Sequence, residues 1–170
     1  KQVLFGGDSE FRGTFSKMVS FWWSTFKADA DFRDIVFHDV TDFSRCSIEK
    51  ALLLVELDLS YCSFLDCSIR NCHFIRCKWP RIRGRRASYD EKNKAPYEKV
   101  EELYRQLKWK YKEGHNEQEA STWHYCEKEM FRKKEWWRRF NPFSFSNLYW
   151  LSSGYGERPV RAGLVLLLLF

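Results

Sequence analysis

Large apolar residues recur along the first half of the chain at a short, nearly fixed interval. In alternating steps of six and five residues, the series runs through Phe15, Phe21, Phe26, Phe32, Phe37, Phe43 and Ile48. After Leu53 or Leu54, between which the spacing does not decide, it continues in steps of five through Leu59, Phe64, Ile69, Phe74 and Trp79. An α-helix repeats about every 3.6 residues and a β-strand every two, whereas a period of this kind is typical of a solenoid.

From residue 57 onward each unit has the same plan: a small or apolar residue, a polar one, a large apolar one, and two mostly polar ones. The units read LDLSY, CSFLD, CSIRN, CHFIR and CKWPR. This pattern resembles the bacterial pentapeptide-repeat family over residues 11–79, and more faintly over residues 3–10. The resemblance implies a right-handed β-helix of square cross-section over residues 1–79, with one unit per face and four faces per coil.

In that family the large central residue and the small residue two positions before it point inward. The resemblance therefore implies a repeat core of Phe32, Phe37, Phe43, Ile48, Leu59, Cys62, Phe64, Cys67, Ile69, Cys72, Phe74, Cys77 and Trp79. The six-residue steps before Phe43 depart from strict units of five, so we expect an extra residue bulging at a corner there, or a looser sheet.

Four of these residues, Cys62, Cys67, Cys72 and Cys77, raise the question of a metal site or a disulfide framework. In the β-helix they would face inward from the four sides of one coil, which climbs only about 4.8 Å per turn. Four nearly coplanar sulfurs do not match the tetrahedron that zinc requires, and reduced cysteine is an ordinary small apolar residue. Opposed faces are also too far apart for disulfides. The spacing favours core packing, with no metal and no cofactor.

Residues 80–95 break the repeat at Pro80 and Gly84 and are interpreted as a basic linker. Its arginines, which could contact anionic lipid or nucleic-acid phosphate or could line a solvated loop, are Arg81, Arg83, Arg85 and Arg86. Residues 96–140 are predicted to form a helical hairpin. Its first helix should end near Gly114, and Asn116 can cap the second. We expect the hairpin to cap the solenoid or to dock on a membrane-embedded partner.

One cluster in the hairpin, formed by His124, Cys126, Glu127 and Glu129, invites a metal or catalytic interpretation. No second histidine or cysteine joins it at ligand spacing, so a hairpin interface is the simpler explanation. The sequence contains no recognisable nucleophile–base–acid set, phosphate loop or nucleotide fingerprint. These observations predict a non-enzymatic protein without catalytic residues or a small-molecule substrate.

Aromatic and basic residues are interleaved near the end of the chain, immediately before an apolar run. This pattern predicts an interfacial juxtamembrane segment over residues 141–159 and the start of a transmembrane helix over 160–170, which stops short of the roughly 20 residues a span needs. The predicted membrane-interface residues are Trp136, Trp137, Arg138, Arg139, Phe143, Phe145, Tyr149, Trp150, Arg158 and Arg161. The arginines indicate that this side is cytoplasmic. A single-stranded nucleic-acid platform has similar composition, but the leucine run favours lipid.

The net charge of +6 comes entirely from the second half of the chain. Residues 1–79 contain ten Lys and Arg against eleven Asp and Glu, and residues 80–170 contain nineteen against twelve. The segment LYWLSSGYGERPVRA resembles the juxtamembrane region of membrane-linked pentapeptide-repeat proteins, in which hydrophobic helices, sometimes those of an ion channel, follow. We therefore expect a longer protein: a cytoplasmic scaffold or regulatory module whose partners are membrane lipid and other membrane-protein subunits.

The alternative is a soluble protein-binding or nucleic-acid-binding module. Some pentapeptide-repeat proteins protect DNA gyrase by imitating DNA with an acidic rod. Because residues 1–79 are almost neutral, mimicry of this kind and binding of nucleic acid are the weaker expectations.

Overall fold

The computed structural model describes residues 2–134 and 145–157, together with residues 160, 163, 164 and 167. Within these residues the chain forms a solenoid of short strands and then a group of helices. The strands are β1 Leu4–Phe5, β2 Ser9–Glu10, β3 Gly13–Phe15, β4 Val19–Ser20, β5 Thr25–Phe26, β6 Ala30–Phe32, β7 Ile35–Phe37, β8 Thr41–Asp42, β9 Ser47–Ile48, β10 Leu52–Val55, β11 Cys62–Ser63, β12 Cys72–Ile75, β13 Arg81–Ile82 and β14 Arg85–Arg86.

The first twelve strands form four parallel sheets. Sheet I contains β1, β5 and β9; sheet II contains β2, β6, β10 and β12; sheet III contains β3 and β7; and sheet IV contains β4, β8 and β11. Leu4 pairs with Thr25, which pairs with Ser47, so a coil takes 21 or 22 residues; the step from Leu52 to Cys72 takes 20. The predicted parallel β-solenoid followed by helices is confirmed, with roughly three turns.

The corners of the solenoid are of two kinds that alternate along the chain. At every second corner one residue has a left-handed backbone conformation, with φ between 53° and 58°; these residues are Trp23, Asp34, Arg45, Glu56, Asp66 and Arg76. The six-residue steps lie at the other corners, which explains why early coils are longer. In the last coil these corners become single 3₁₀ turns, at Leu59–Tyr61 and Ile69–Asn71, and the coil shortens.

The interior of the solenoid is a set of stacked apolar columns. Phe43 is stacked between Phe21 and Phe64, with ring centroids 5.1 and 5.3 Å apart. Leu54 is fully buried and Leu53 is not, so Leu54 is the inward residue of the repeat at this point. Of the expected core residues, Phe74 and Cys77 are half-buried and pack against the core, and the structure buries the remaining ones: Phe32, Phe37, Phe43, Ile48, Leu59, Cys62, Phe64, Cys67, Ile69, Cys72 and Trp79.

The helices whose bounds lie within the described residues are α1 Tyr89–Lys92, α2 Tyr97–Glu113, α3 Glu117–Lys134 and α4 Phe145–Ser153. Helices α2 and α3 pack against each other as a helical hairpin, and the turn between them contains Gly114. Asn116 accepts the amide hydrogen of Glu119 at 3.2 Å, as expected of a capping residue. Among the described residues, no helix is long and apolar enough to cross a membrane.

The stacked columns predict a sharp contrast between inward and outward substitutions. Phe43→Ala should lower the free energy of unfolding by about 3–5 kcal/mol, because it opens a cavity between two stacked rings. Ser47→Ala, on the exposed surface of sheet I, should change it by less than about 0.5 kcal/mol. Urea unfolding followed by circular dichroism measures both, and equal effects of the two substitutions would contradict the assigned register.

Candidate functional site

The helices close the end of the solenoid that follows its last coil. Trp79, the last inward residue of the repeat, contacts Trp123 of α3 edge to face at a centroid distance of 4.9 Å. The ring centroids of Tyr104 of α2 and Trp123 lie 5.4 Å apart, and both side chains are fully buried. The apolar core of the solenoid therefore continues into the helical hairpin, and we call this closing unit, residues 80–134, the helical cap.

Polar side chains of the cap satisfy backbone amides at the edge of the last coil. Asp90 of α1 accepts hydrogen bonds from the amide of Phe64 at 3.2 Å and from the hydroxyl of Ser63 at 2.5 Å. Gln106 of α2 accepts the amide hydrogen of Ile69 at 3.1 Å. Burial raises the pKa of the Asp90 carboxyl, and these two donors to it partly offset that effect. The edge is thus paired by side chains rather than left as a template for another strand.

A buried ion-pair network joins the separate parts of the cap. Glu91 of α1 accepts hydrogen bonds from Arg85 of the β13–β14 hairpin, from Lys133 of α3 at 2.8 Å and from the hydroxyl of Tyr104 at 2.7 Å. Burial alone would raise the pKa of Glu91, but the hydrogen bonds from Arg85 and Lys133 outweigh it and lower the pKa. Burial has the larger effect on the Tyr104 hydroxyl and raises its pKa, and the negative charge of Glu91 raises this pKa further.

The basic segment at residues 80–95, interpreted above as a linker, is thus folded into the cap. Arg85 is bound to Glu91 and Arg86 to Glu119 of α3, so neither lies in a solvated loop or is free for phosphate. Arg81 and Arg83 remain exposed.

A second ion-pair group lies on the hairpin at the cluster singled out in the sequence. Glu127 contacts Lys108 at 2.6 Å, Arg105 at 3.2 Å and His124 at 3.8 Å. Burial opposes ionisation of Glu127, but the contacts with His124, Lys108 and Arg105 outweigh it and lower the pKa of Glu127 to about 2. In the part of the chain that the structure describes, no three His, Cys, Asp or Glu residues are grouped to hold a metal ion.

The cysteine thiols behave as core side chains. Cys46 donates to the carbonyl oxygen of Phe21 at 3.0 Å, and Cys77 to that of Leu54 at 3.1 Å. Burial raises the pKa of Cys46 to about 12 and also raises that of Cys62. The thiolate is the form that binds metals and acts as a nucleophile, so these cysteines are poorly suited to either role.

Helix α4 is fixed to α3 by aromatic and polar contacts on one side. Trp150 donates to the hydroxyl of Tyr125 at 3.3 Å, and the guanidinium of Arg132 lies 4.9 Å from the Trp150 ring centroid. After the helix, Tyr155 donates to Glu129 at 3.3 Å and is buried. These contacts hold α4 in a defined orientation on the cap.

The other side of α4 exposes apolar residues. Leu148 and Leu151, three residues apart on one face of the helix, are 45% and 60% exposed. Further along, Val160, Leu164 and Leu167 are also exposed. Exposed apolar side chains that cluster, rather than occurring singly, mark a surface that meets lipid or another protein.

The structure locates part of the predicted membrane interface. Tyr149 is exposed, and its hydroxyl donates to the carbonyl oxygen of Tyr155 at 3.0 Å. Trp150 is half-buried against α3, and Phe145 is the first residue of α4. Seven residues of the predicted set lie outside the described residues: Trp136, Trp137, Arg138, Arg139, Phe143, Arg158 and Arg161.

The sequence interpretation missed the residues that build the cap. One local signal was present: Ser88 followed three positions later by Glu91 matches a capping box. In the structure the Ser88 hydroxyl accepts the amide hydrogen of Glu91 at 3.2 Å and starts α1. Asp90 and Gln106 have no such local signal, because their partners lie 26 and 37 residues away in the chain.

Comparisons with protein-family models, with curated proteins and with solved structures find no match to this chain. The site is therefore defined by its own geometry, which has two parts. One is the cap that ties the helices to the last coil, and the other is the outward apolar face of α4.

The edge contact of Asp90 predicts a specific loss of stability. Asp90→Ala should lower the free energy of unfolding by about 1–3 kcal/mol, because the buried amide of Phe64 loses its acceptor. Asp90→Asn keeps one acceptor oxygen and should recover part of the loss. Urea unfolding gives the energies, and hydrogen exchange at the Phe64 amide gives the local effect; unchanged exchange in Asp90→Ala would contradict the assigned contact.

The lowered pKa of Glu127 predicts a dependence of stability on pH. Because the folded-state pKa is about 2 and the ordinary value is 4.5, ionised Glu127 stabilises the fold above about pH 4.5, and this contribution is lost as the pH falls toward 2. Glu127→Gln lacks this titration. The difference in unfolding free energy between the wild-type protein and the variant should shrink between pH 5 and pH 2 in urea titrations, and a constant difference would be inconsistent with this role.

Proposed function

We propose that this chain is a non-enzymatic scaffold module of a bacterial pentapeptide-repeat membrane protein, seated on the cytoplasmic side of the membrane by α4. The observation that carries the proposal is the orientation of α4: its aromatic side is fixed to the cap, and Leu148 and Leu151 face away from it. The partners in this proposal are membrane lipid and other membrane-protein subunits.

The repeat architecture supports the assignment to the pentapeptide-repeat type. The coil passes through four parallel sheets and takes 20 residues in its last turn, which fits one unit of five residues on each of four faces. The inward positions are the large central residue and the small residue two before it, as in Cys62 with Phe64 and Cys67 with Ile69. A right-handed β-helix of square cross-section accounts for this arrangement.

A scaffold role is supported by the use that the cap makes of its ionisable groups. The buried carboxylates of Asp90, Glu91 and Glu127 each hold structural elements together, through a backbone amide or through lysine and arginine side chains. Perturbed pKa values at such positions have a structural cause. The cap therefore serves to fix the helices rigidly on the rod.

Membrane seating is supported by the exposed leucines of α4 and by the apolar run that follows the helix in the sequence. Burying a leucine side chain contributes roughly 1.5–3 kcal/mol, so the two outward leucines of α4 favour insertion into the apolar boundary of a bilayer. Arg158 and Arg161 precede a run of apolar residues from Leu164 to Phe170. In the proposal this run starts a transmembrane helix, and the arginines keep the rod on the cytoplasmic side.

The test is membrane association of the 170-residue chain and of a Leu148→Asp/Leu151→Asp variant in a bacterial host. The variant should partition to the membrane at least about tenfold less than the wild-type chain, because burying a single leucine side chain contributes roughly 1.5–3 kcal/mol and about 1.4 kcal/mol corresponds to a factor of ten. The matched control is Val36→Asp/Ile75→Asp, which places the same two charges at exposed apolar sites of sheets III and II and should leave partitioning unchanged.

Protease protection completes this test. The rod should be cleaved only by protease added from the cytoplasmic side. Equal membrane association of the wild-type chain and the double variant would remove α4 as the anchor. A wild-type chain found entirely in the soluble fraction would overturn membrane seating and favour a soluble module that binds protein or nucleic acid.

A further inference from the structure

The exposed surface of sheet I carries small hydroxyl side chains in successive coils. Its outward side chains include the small hydroxyls of Thr25 and Ser47, and Ser68 follows one coil later at the start of the Ile69–Asn71 turn. That turn is tied to β9 by Asn71, whose side-chain amide donates to the carbonyl oxygen of Ile48 at 2.8 Å. The result is a narrow strip of short side chains that spans three coils; we call this strip and its two flanking corners the sheet I surface.

Two tryptophans stand at one corner of the sheet I surface. Trp22 and Trp23 are 41% and 49% exposed, with ring centroids 5.4 Å apart in an edge-to-face arrangement. Arg45, one coil later, lies 5.9 and 5.7 Å from the two rings. Trp23 has a φ of 56°, which is unusual for a bulky residue. This is the corner conformation that recurs along the solenoid, and here it is occupied by an exposed aromatic residue that adds little to the core.

A third exposed tryptophan stands at the opposite end of the same surface. Helix α2 crosses the top of sheet I: Lys99 binds Asp66 at one corner, and Lys110 donates to the carbonyl oxygen of Arg70 at the other, at 2.9 Å. Trp109 of α2 is 54% exposed. It borders a groove of about 470 Å³ lined by Ser68, Arg70, Gln106, Trp109, Lys110 and Glu113.

Charge is distributed unevenly around the nearly neutral rod. Within two residues of β1, β5, β9 and the Ser68–Ile69 step, the acidic residues are Glu49 and Asp66, and Asp66 is paired with Arg45 and Lys99. The basic residues within the same distance are Lys27, Arg45, Lys50 and Arg70. Among the described residues, the Arg70 guanidinium lies within 4.0 Å of no carboxylate. The sheet I surface therefore carries four basic residues against two acidic ones and has a net positive charge.

The sheet I surface is also continuous with the region that follows α4. Trp109 also borders a second groove of about 490 Å³, which is lined by Lys112 and His124 as well. This groove reaches Glu157, four residues beyond the end of α4. Glu157 is held there by a hydrogen bond from Ser121. The sheet I surface and this second groove, which meet at Trp109, thus bring together exposed tryptophans, basic side chains and the chain segment that leads toward the apolar end.

We propose that the sheet I surface lies flat on the anionic headgroups of the membrane. Trp22, Trp23 and Trp109 enter the interfacial layer, where tryptophan is favoured, and Arg45 and Arg70 contact lipid phosphates. This inference rests on the membrane seating proposed above and adds the lipid class and the side of the rod that faces it. Continuity with the α4 region is what favours lipid over nucleic acid, which could use the same aromatic and basic groups.

The first experiment reports which side of the rod meets lipid. Single cysteines are introduced into the full chain at Ser47 of sheet I and at Val36 of sheet III, which lies two corners further along the coil, and each is labelled with an environment-sensitive fluorophore. The unmodified chain, labelled in parallel, gives the background from its native thiols. On vesicles of phosphatidylcholine with 30% phosphatidylglycerol, the Ser47 label should shift to the blue and be shielded from an aqueous quencher, and the Val36 label should not.

The second experiment tests the charge contacts. Arg45→Gln/Arg70→Gln should weaken binding to the phosphatidylglycerol vesicles roughly thirtyfold, because each cation near an anionic surface contributes about 1 kcal/mol. Binding to pure phosphatidylcholine vesicles should not change. The matched control is Arg33→Gln/Arg76→Gln, which removes two arginines from corners that flank sheet III and should bind like the wild-type chain.

The outcomes separate this inference from the function on which it rests. If the Leu148→Asp/Leu151→Asp variant loses binding to both vesicle types but the Ser47 and Val36 labels respond alike in the wild-type chain, α4 seats the protein and the flat orientation is wrong. If the Ser47 label responds to a single-stranded oligonucleotide and not to vesicles, the surface binds nucleic acid and the lipid assignment is overturned. A selective Ser47 response that 0.5 M salt abolishes supports the proposal.

Discussion

The structure depends on closing the end of the solenoid at its last coil. Each coil stabilises the next through backbone pairing and stacked apolar residues, so the last coil would expose both unpaired amides and part of its core. Trp79 and Trp123 pack together and cover the apolar end of the core. Asp90 and Gln106 accept hydrogen bonds from backbone amides at the edge of the last coil. The helices are arranged as they are because they must present both kinds of group to the same edge.

This closure also determines how the rod is connected to the rest of the chain. A β-hairpin, a one-turn helix and two long helices meet at Glu91, which binds Arg85, Lys133 and Tyr104. Removing Glu91 would deprive Arg85, Lys133 and Tyr104 of their shared acceptor, which is costly in a low-dielectric interior. The rod, the hairpin and α4 are therefore linked by packed and hydrogen-bonded contacts, which suits a module that positions one partner relative to a membrane.

The solenoid could be predicted from sequence because its inward positions repeat with the geometry of the coil. The period of Phe43, Ile48, Leu59 and Phe64 is a local property of the chain, and each such residue needs only to be apolar and of about the right size. The corners were harder to predict from the sequence, because the choice between Leu53 and Leu54 depends on whether the step from Ile48 to the next inward residue takes five or six residues. That choice reflects the coil beneath, which sequence spacing alone does not reveal.

The cap could be predicted only as a helical hairpin, because its function in the fold depends on contacts between distant residues. Asp90 and Arg85 read as ordinary charges in a basic segment, and only the approach of Phe64 and Glu91 gives them a structural role.

The same limit applies to charge. Residues 1–79 are nearly neutral by count, yet the coil places Arg45 and Arg70 at the two corners of sheet I, beside exposed tryptophans. A nearly neutral total that argues against mimicry of DNA is thus compatible with a net positive charge on one face. The distribution of charge over the faces decides which surface can approach an anionic partner.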